Sequence, residues 1–336
     1  MSASPRIWVL LGSRRGDNNQ LLALAEGLGV PFETRTLVYR RSARLVMKLF
    51  PHSIAHLTRA SRQWLRPPWP DLVIGIGRRS VPVACSIRAR SGGKAGIVRL
   101  GHPRASNGLF DLVVTTPQYP VPDARNVVRL PLAMNRFAEP PAPLAEEQAL
   151  LDGLPRPHLL LSLGGNAPMW RLDLDELARA IDKLVRRARR EKGTLLVLPS
   201  PRTPADAIAL IEQATDGVKE AVLAGPELRY AVALADADAH FVTADSVSMI
   251  SEAIGTGRPV GIIPVKPDAR GRLWLGGDPD DNDLRDVRRF WRHAEAAGLV
   301  GTVDQPRKGC FNDPVAIAVG AVRARFRALF EPAEQS

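Results

Sequence analysis

Short apolar runs recur along the chain. Each is broken off by glycine or small polar residues before a stretch whose apolar side chains return every three or four positions. In the first half the runs are Ile7–Leu11, 71–76, 95–100 and Leu112–Thr115. Such runs predict buried strands, and the three-to-four spacing predicts helices packed on them. The helix after the first run is expected over 21–28, stopped by Gly29. The helix after the second carries Pro82 in its first turn, where proline is tolerated. In the second half the runs are 159–163, 195–198, Ala221–Leu223 and 241–242, with helices over 174–187, 204–214 and 228–235. The last run opens the stretch around which the chain is organised, from His240 to Ile263. There a polar turn over 243–246 feeds a helix near 247–254, with Val247, Ile250 and Ile254 on its apolar side and Ser and Asp residues to cap its start. Gly255 and Gly257 supply the stop, and a further strand begins at Pro259.

Two successive runs of strand–helix alternation predict an α/β fold of two Rossmann-like, doubly wound parallel-sheet domains facing a cleft. The length agrees, because 336 residues exceed what one core usually holds. Glu139-Pro-Pro-Ala-Pro143, followed by Glu146-Glu147, reads as a linker. The expected division is 1–138, a linker over 139–156, and 157–336, with the last helix packing back on the first domain.

Open parallel sheets bind ligands beyond the carboxyl ends of their strands, so the loops there carry the candidate chemistry. Three fall in the second half: Ser162-Leu-Gly164-Gly165-Asn166, Ser200-Pro-Arg202-Thr203-Pro204, and the turn holding Asp245, Ser246 and Ser248. Paired glycines permit close backbone approach, Arg202 offers a charge-assisted donor, and the helix start after Ser246 presents amides at the positive end of a dipole. Together they predict a diphosphate rim, with Glu252 one turn inside the helix, placed to accept from a ribose. In the first half the loop Gly12-Ser-Arg-Arg-Gly16-Asp17-Asn-Asn-Gln20 lacks a full dinucleotide fingerprint. Asp17 there is read either as a helix cap or as a base. Gly77-Arg78-Arg79-Ser80 brings two cations and a hydroxyl, and His102, in the loop after the run 95–100, is an acid–base candidate or a structural histidine.

Composition changes this picture in one respect. The net charge is +11, which favours an anionic partner. From 35 to 70 there are eight Lys or Arg and no acid, with Val46, Phe50, Ile54 and Leu57 at near-helical spacing and Trp64 and Trp69 following. That stretch suits an anionic membrane surface; basic core helices are the alternative. No nucleic-acid reader motif accompanies the charge, so nucleic acid is not expected as a partner. Cys85 and Cys310 have no metal-type spacing, and no apolar run reaches the length of a membrane span. The acids from Asp278 to Asp283 read as a loop rather than a metal site. A cytoplasmic protein, peripheral on the inner face of the membrane, is the expectation.

With these loops in view the chain resembles the elongated-mitochondria, or mitochondrial fission, family, whose bacterial members are read as GT-B type glycosyltransferases. The resemblance rests on Pro70-Asp-Leu-Val-Ile-Gly-Ile-Gly-Arg-Arg-Ser80, on 111–120, on 162–166, and above all on Val242-Thr-Ala-Asp-Ser-Val-Ser-Met-Ile-Ser-Glu252. It implies a nucleotide-sugar donor on the C-terminal domain, with Glu252 on the ribose, and a reaction that uses neither metal nor cofactor. The expected acceptor is an envelope lipid or a lipopolysaccharide-type molecule met by Gly12, Gln20, Arg78, Arg79 and Ser80. A non-catalytic peripheral membrane or interaction protein that keeps the fold is the other reading. Pro201 and Glu227-Leu-Arg-Tyr230 depart from the family's pattern, which has arginine and Asn-Pro-Tyr at these places.

Overall fold

The computed structural model describes residues 4–40, 54–103, 105–135 and 141–331. The chain divides into two compact units, 1–136 together with 312–336, and 137–311.

Unit 1 is built on six parallel strands: β1 (Ile7–Leu11), β2 (Phe32–Thr36), β3 (Leu72–Ile76), β4 (Gly96–Leu100), β5 (Leu112–Thr115) and β6 (Val127–Arg129), in the order β2-β1-β3-β4-β5-β6. Alternate side chains divide between its faces, as the pleat requires. Ile7, Val9, Leu72, Ile74, Val98 and Leu100 enter one core, and Trp8, Leu10, Val73, Ile97 and Val113 the other. The first core is closed by the helix Arg15–Gly27 and by the chain's last long helix, Pro314–Arg325, which places Ala318 and Val322 against Leu21, Leu24 and Leu28. Gly27 makes this contact possible, since a Cβ there would lie 2.8 Å from Val319 and 2.9 Å from Val315.

Unit 2 holds β7 (His158–Leu163), β8 (Trp170–Leu172), β9 (Thr194–Pro199), β10 (Ala221–Leu223), β11 (Ala239–Thr243), β12 (Val260–Ile263) and β13 (Val265–Pro267). Five of these form a parallel sheet in the order β10-β9-β7-β11-β12, while β8 and β13 pair antiparallel. Strand order reverses between β1 and β3 in the first sheet and between β7 and β11 in the second, so each unit has a topological switch point at those carboxyl ends, the place where open α/β sheets bind ligands.

Several boundaries differ from the sequence reading. The last helix, expected to pack back on the first domain while counted within 157–336, falls in unit 1, so that unit is discontinuous in sequence. Part of the expected linker is the helix Ala145–Asp152 of unit 2, where Glu147 is buried and ion-paired to Arg229 at 2.5 Å; residues 139 and 140 lie outside the described residues. That pair also accounts for Arg229, which stands within one of the departures from the family pattern. The first helix starts at Arg15, six positions before its first apolar residue. Asn18 supports this early start by accepting from the Gly12 amide and donating to the Gly12 carbonyl, both at 2.9 Å. Asp17 is therefore not the cap; it lies in the helix's first turn, where the dipole favours a carboxylate. Gln20 is likewise helical.

Within 35–70, Arg41, Arg44, Val46, Lys48 and Phe50 lie outside the described residues. Of the remainder, Leu57 is fully buried and Trp69 packs on the core, 6.0 Å from Trp8. Trp64 is exposed. The membrane-facing pattern expected there is to that extent a core pattern.

Candidate functional site

In unit 2 the three loops named from sequence do converge. β7 ends at Gly164 and Gly165, β9 at Ser200, and β11 at Thr243, and their backbones and side chains interlock. The Gly164 amide donates to Thr243 Oγ1 at 2.8 Å, and Thr243 donates to Asp245 at 2.8 Å. The Gly165 amide donates to Asp245 at 3.1 Å. The Ser200 and Thr203 hydroxyls donate to the Gly164 carbonyl at 2.8 and 2.6 Å. Trp291 braces the turn by donating from Nε1 to the Ala244 carbonyl at 2.8 Å.

This geometry revises the reason for the paired glycines. A Cβ on Gly164 would lie 2.2 Å from the Asp245 carboxylate, and one on Gly165 would lie 2.0 Å from the Arg202 carbonyl. The glycines admit neighbouring protein, and both amides are spent on Thr243 and Asp245. Ser200 and Thr203 are also turned inward. The groups left at the surface of this edge are Asn166 and Arg202, both exposed, and Ser246, Ser248 and Glu252, which are half-buried. Arg202 reaches the buried Asp245 at 3.4 Å. Burial pushes the Asp245 carboxyl up, against the hydrogen bonds from Gly165 and Thr243.

The helix Val247–Gly255 begins as predicted, with Ser246 Oγ accepting from the Met249 amide at 3.4 Å. Glu252 lies one turn in. Burial pushes its carboxyl up to about 7, against the pull of Tyr230. The Tyr230 hydroxyl is buried within electrostatic reach of Glu252 and Ser162. Yet neither that hydroxyl nor Ser162 Oγ completes a hydrogen bond of sound geometry. Glu252, Tyr230 and Ser162 thus form a small polar cluster at the carboxyl edge of the sheet, with its carboxyl penalised by burial. Tyr230 escapes a reading of loops because it opens a helix, Tyr230–Asp236, away from the glycine-rich turns.

The carboxyl edge of unit 1 is different. Arg78 and Arg79 are exposed, and the Arg79 guanidinium lies 5.2 Å over the Tyr39 ring. Ser80, expected to meet a ligand, is buried and donates to the Ile76 carbonyl at 2.8 Å. Its Oγ accepts from Arg99 at 3.0 Å. Arg99 is only 2% exposed and also donates to the Gly77 carbonyl at 3.2 Å and the His102 carbonyl at 3.1 Å. Burial lowers its guanidinium to about 10, opposed by Tyr119, Asp17 and Tyr39, and leaves it charged at neutral pH. His102 packs edge-on to Tyr119, 6.0 Å between ring centres. Asp17 and His102 thus share this edge with Arg99. Arg99 went unremarked in the sequence, although an arginine inside the apolar strand Gly96–Leu100 was the signal for it.

The Asp278 cluster holds itself together differently from a metal site. Asp278 caps the turn after it and pairs with Arg292 at 2.9 Å, and Asp280 pairs with Arg289 at 3.2 Å. Among the described residues no group of three or more His, Cys, Asp or Glu is set to hold a metal, and no helix is long and apolar enough to cross a membrane.

Two parallel-sheet units, each with a topological switch point at its carboxyl edge, define an α/β protein with the architecture of GT-B type enzymes. The chain belongs to the mitochondrial fission ELM1 family, whose model it matches over residues 15–276. It is 29% identical over 231 residues to mitochondrial fission protein ELM1 of Arabidopsis thaliana, covering 60% of this chain. The match takes in 53% of that relative, so the chain spans about half its length. Among solved structures the S. aureus MnaA–UDP complex superimposes with a TM-score of 0.53 at 11% identity, covering 99% of this chain and 100% of that one. The UDP-GlcNAc 2-epimerase of Methanocaldococcus jannaschii gives 0.52 at 11% identity, covering 95% and 99%. At such identity these likenesses speak for the fold alone.

Proposed function

We propose that the protein is a glycosyltransferase that takes a sugar from a nucleotide-sugar donor held at the carboxyl edge of unit 2. The observation that carries this is the polar cluster at the switch point, where the Glu252 carboxyl stands beside Tyr230 and Ser162 one turn behind a capped helix start. Glu252 accepts from the ribose hydroxyls. The first turn of Val247–Gly255, with Ser246, Ser248 and Arg202, holds the diphosphate and stabilises the departing nucleoside diphosphate, an electrostatic role commonly worth several kcal/mol. The reaction runs without a metal, the charge on the leaving group being met by Arg202 and the helix dipole. The acceptor is of the envelope-lipid or lipopolysaccharide type, reached by peripheral attachment to the inner face of the membrane, with Asp17 and His102 as candidate bases on unit 1.

The UDP in the S. aureus relative makes uridine the first base to try. Calorimetric titration with UDP, GDP and ADP tests the donor site, with binding expected for at least one of them. Glu252→Ala should weaken that binding far more than it weakens folding. Equal affinities in wild type and variant would sink the assignment.

One observation favours the non-catalytic reading. The glycine amides and the Ser200 and Thr203 hydroxyls of the expected rim are already satisfied within the protein. A chain that only keeps the fold would bind none of the three nucleotides.

A further inference from the structure

Arg99 is a buried cation for which the described part of unit 1 supplies no counter-charge at contact distance. Its guanidinium has five N–H donors, and three of its hydrogen bonds are accounted for, all to neutral oxygens: the Gly77 carbonyl, Ser80 Oγ and the His102 carbonyl. Its Nε–H is buried and has no acceptor. Burying an ion without an opposite charge costs several kcal/mol, and the neutral acceptors recover only part of that. Two further buried polar atoms, Thr115 Oγ1 and Gln118 Oε1, lack a hydrogen bond. These belong to the end of the neighbouring strand β5 and the loop after it, next to Gly101 and His102. The side chains facing this edge from the adjoining elements are Asp17, Tyr39, Arg79, His102 and Tyr119, of which one is an acid. Asp17 acts on Arg99 through its charge.

A structural clamp alone would account for the three carbonyl and hydroxyl contacts. It does not account for charge, because a neutral amide could bridge the same oxygens without the desolvation cost. The exposed Arg78 and Arg79, in the turn after β3, add positive potential to the same edge, where Arg79 and Arg99 both act on Tyr39.

We propose that the carboxyl edge of unit 1 is an oxyanion site of the phosphate type, with Arg99 as its buried charge and Arg79 at its rim. The bound group belongs to the second substrate, so the acceptor is itself anionic. The word acceptor rests on the transferase reading; the oxyanion site does not.

The test is calorimetric titration of the full chain with inorganic phosphate at millimolar concentration, with UDP present in excess. One phosphate per chain is expected. Arg99→Met should weaken it by about tenfold or more, since a charge-assisted fork is removed, and should leave the UDP isotherm unchanged. If that variant does not fold, Arg99→Gln keeps amide donors for the loop carbonyls while removing the charge, and the same loss is expected. Arg79→Ala, at an exposed position, should weaken phosphate about threefold and flatten its salt dependence. Phosphate affinity unchanged in a folded Arg99 variant and in Arg79→Ala overturns the proposal, as does a wild type that binds no phosphate. Loss of UDP binding with Arg99-dependent phosphate binding intact would remove the donor reading of unit 2 and leave this site standing. Glycerol 3-phosphate run against vesicles containing phosphatidic acid then separates a soluble phosphate from a lipid headgroup, both expected to lose binding in Arg99→Met.

Discussion

Among the described residues, the buried charge at the carboxyl edge of unit 1 is positive, and at that of unit 2 it is carboxylic. The sheets beneath are alike, each parallel and each reversing its strand order at a switch point. Unit 1 places Arg78, Arg79 and Arg99 there, with Arg99 buried among neutral acceptors. Unit 2 places Asp245 and Glu252, with Arg202 as the neighbouring cation. Topology supplies a switch point in each case, and side chains decide what it can hold. On the proposed function, the second would take a polyol with a diphosphate, its carboxyl accepting and its helix start attracting phosphate. An oxyanion fits the first.

The glycines divide the same way, and this gives the largest expected effect. Gly165 is packed against the Arg202 carbonyl, where a Cβ would stand 2.0 Å from the oxygen. Backbone cannot move aside as a flexible side chain can, so Gly165→Ala should cost about 3 kcal/mol or more through forced displacement of the 200–203 loop. Thermal denaturation checks it. A variant that melts with the wild type would mean that unit 2's glycines are reserved for a ligand after all.

Next in size is the stability linked to Glu252. Its carboxyl titrates near 7 in the folded protein against an ordinary value of 4.5. The folded state therefore holds its proton more tightly, and the associated stability is present below about pH 4.5 and lost as pH rises to 7. Glu252→Gln, which cannot ionise, should match the wild type at pH 4.5 and exceed it at pH 8 by on the order of 2–3 kcal/mol. Denaturant titrations at the two pH values decide the matter; a gain at both, or at neither, would mean that the carboxyl is not penalised by burial. Here the polar cluster of unit 2 is held at a cost in stability, as a site kept for a ligand often is.

Binding follows with a similar or smaller figure. If the ionised Glu252 accepts from a ribose, nucleotide affinity should rise as pH increases through 7, and Glu252→Ala should weaken it by about 10- to 100-fold, the worth of hydrogen bonds to a charged group. Calorimetry across that range reads both. A flat pH profile with an unaffected alanine variant would place the nucleotide elsewhere or nowhere. Arg202 is half-exposed, so Arg202→Ala should cost only a few-fold.

How much of this was legible in the residues depends on what each signal required. The turn and helix from Thr243 to Gly255 were readable because cap, apolar spacing and stop agree locally. β2 was not, since Phe-Glu-Thr-Arg-Thr at a half-exposed sheet edge has no apolar run. β6 is a three-residue strand of the same kind. The start of the first helix was misplaced because its first turn is polar and is fixed by Asn18 reaching back to Gly12. Gly164 and Gly165 were found for a reason the structure replaces, because a glycine in sequence does not say whether protein or ligand needs the space. The discontinuity of unit 1 depends on Gly27 meeting Val315 and Val319, a contact across nearly the whole chain that local spacing could only suggest. Arg99 was visible as an arginine within an apolar strand, but its want of a counter-charge at contact distance is a property of the folded edge.

The smallest expected effect bears on the other half of the comparison. Gly12 and Gly16 lie in the loop and first helical turn of unit 1, and a Cβ at either would meet no atom within 4 Å. Neither has the left-handed backbone that would reserve the place for glycine. Gly16 is inside the helix Arg15–Gly27, where glycine is less favourable than alanine by about 0.5–1 kcal/mol. Gly16→Ala should therefore stabilise unit 1 slightly, raising its melting temperature by about 2 °C. Nothing in the protein's own packing requires a glycine there, in contrast with Gly165. If the carboxyl edge of unit 1 admits an oxyanion close to this turn, the same substitution should also weaken phosphate binding while it raises stability. Paired melting and phosphate titrations of Gly16→Ala separate these effects. A gain in stability with unchanged phosphate affinity confines the oxyanion to the Arg79 and Arg99 side of the edge, and a loss of stability would show that the loop is packed more tightly than its open surroundings indicate.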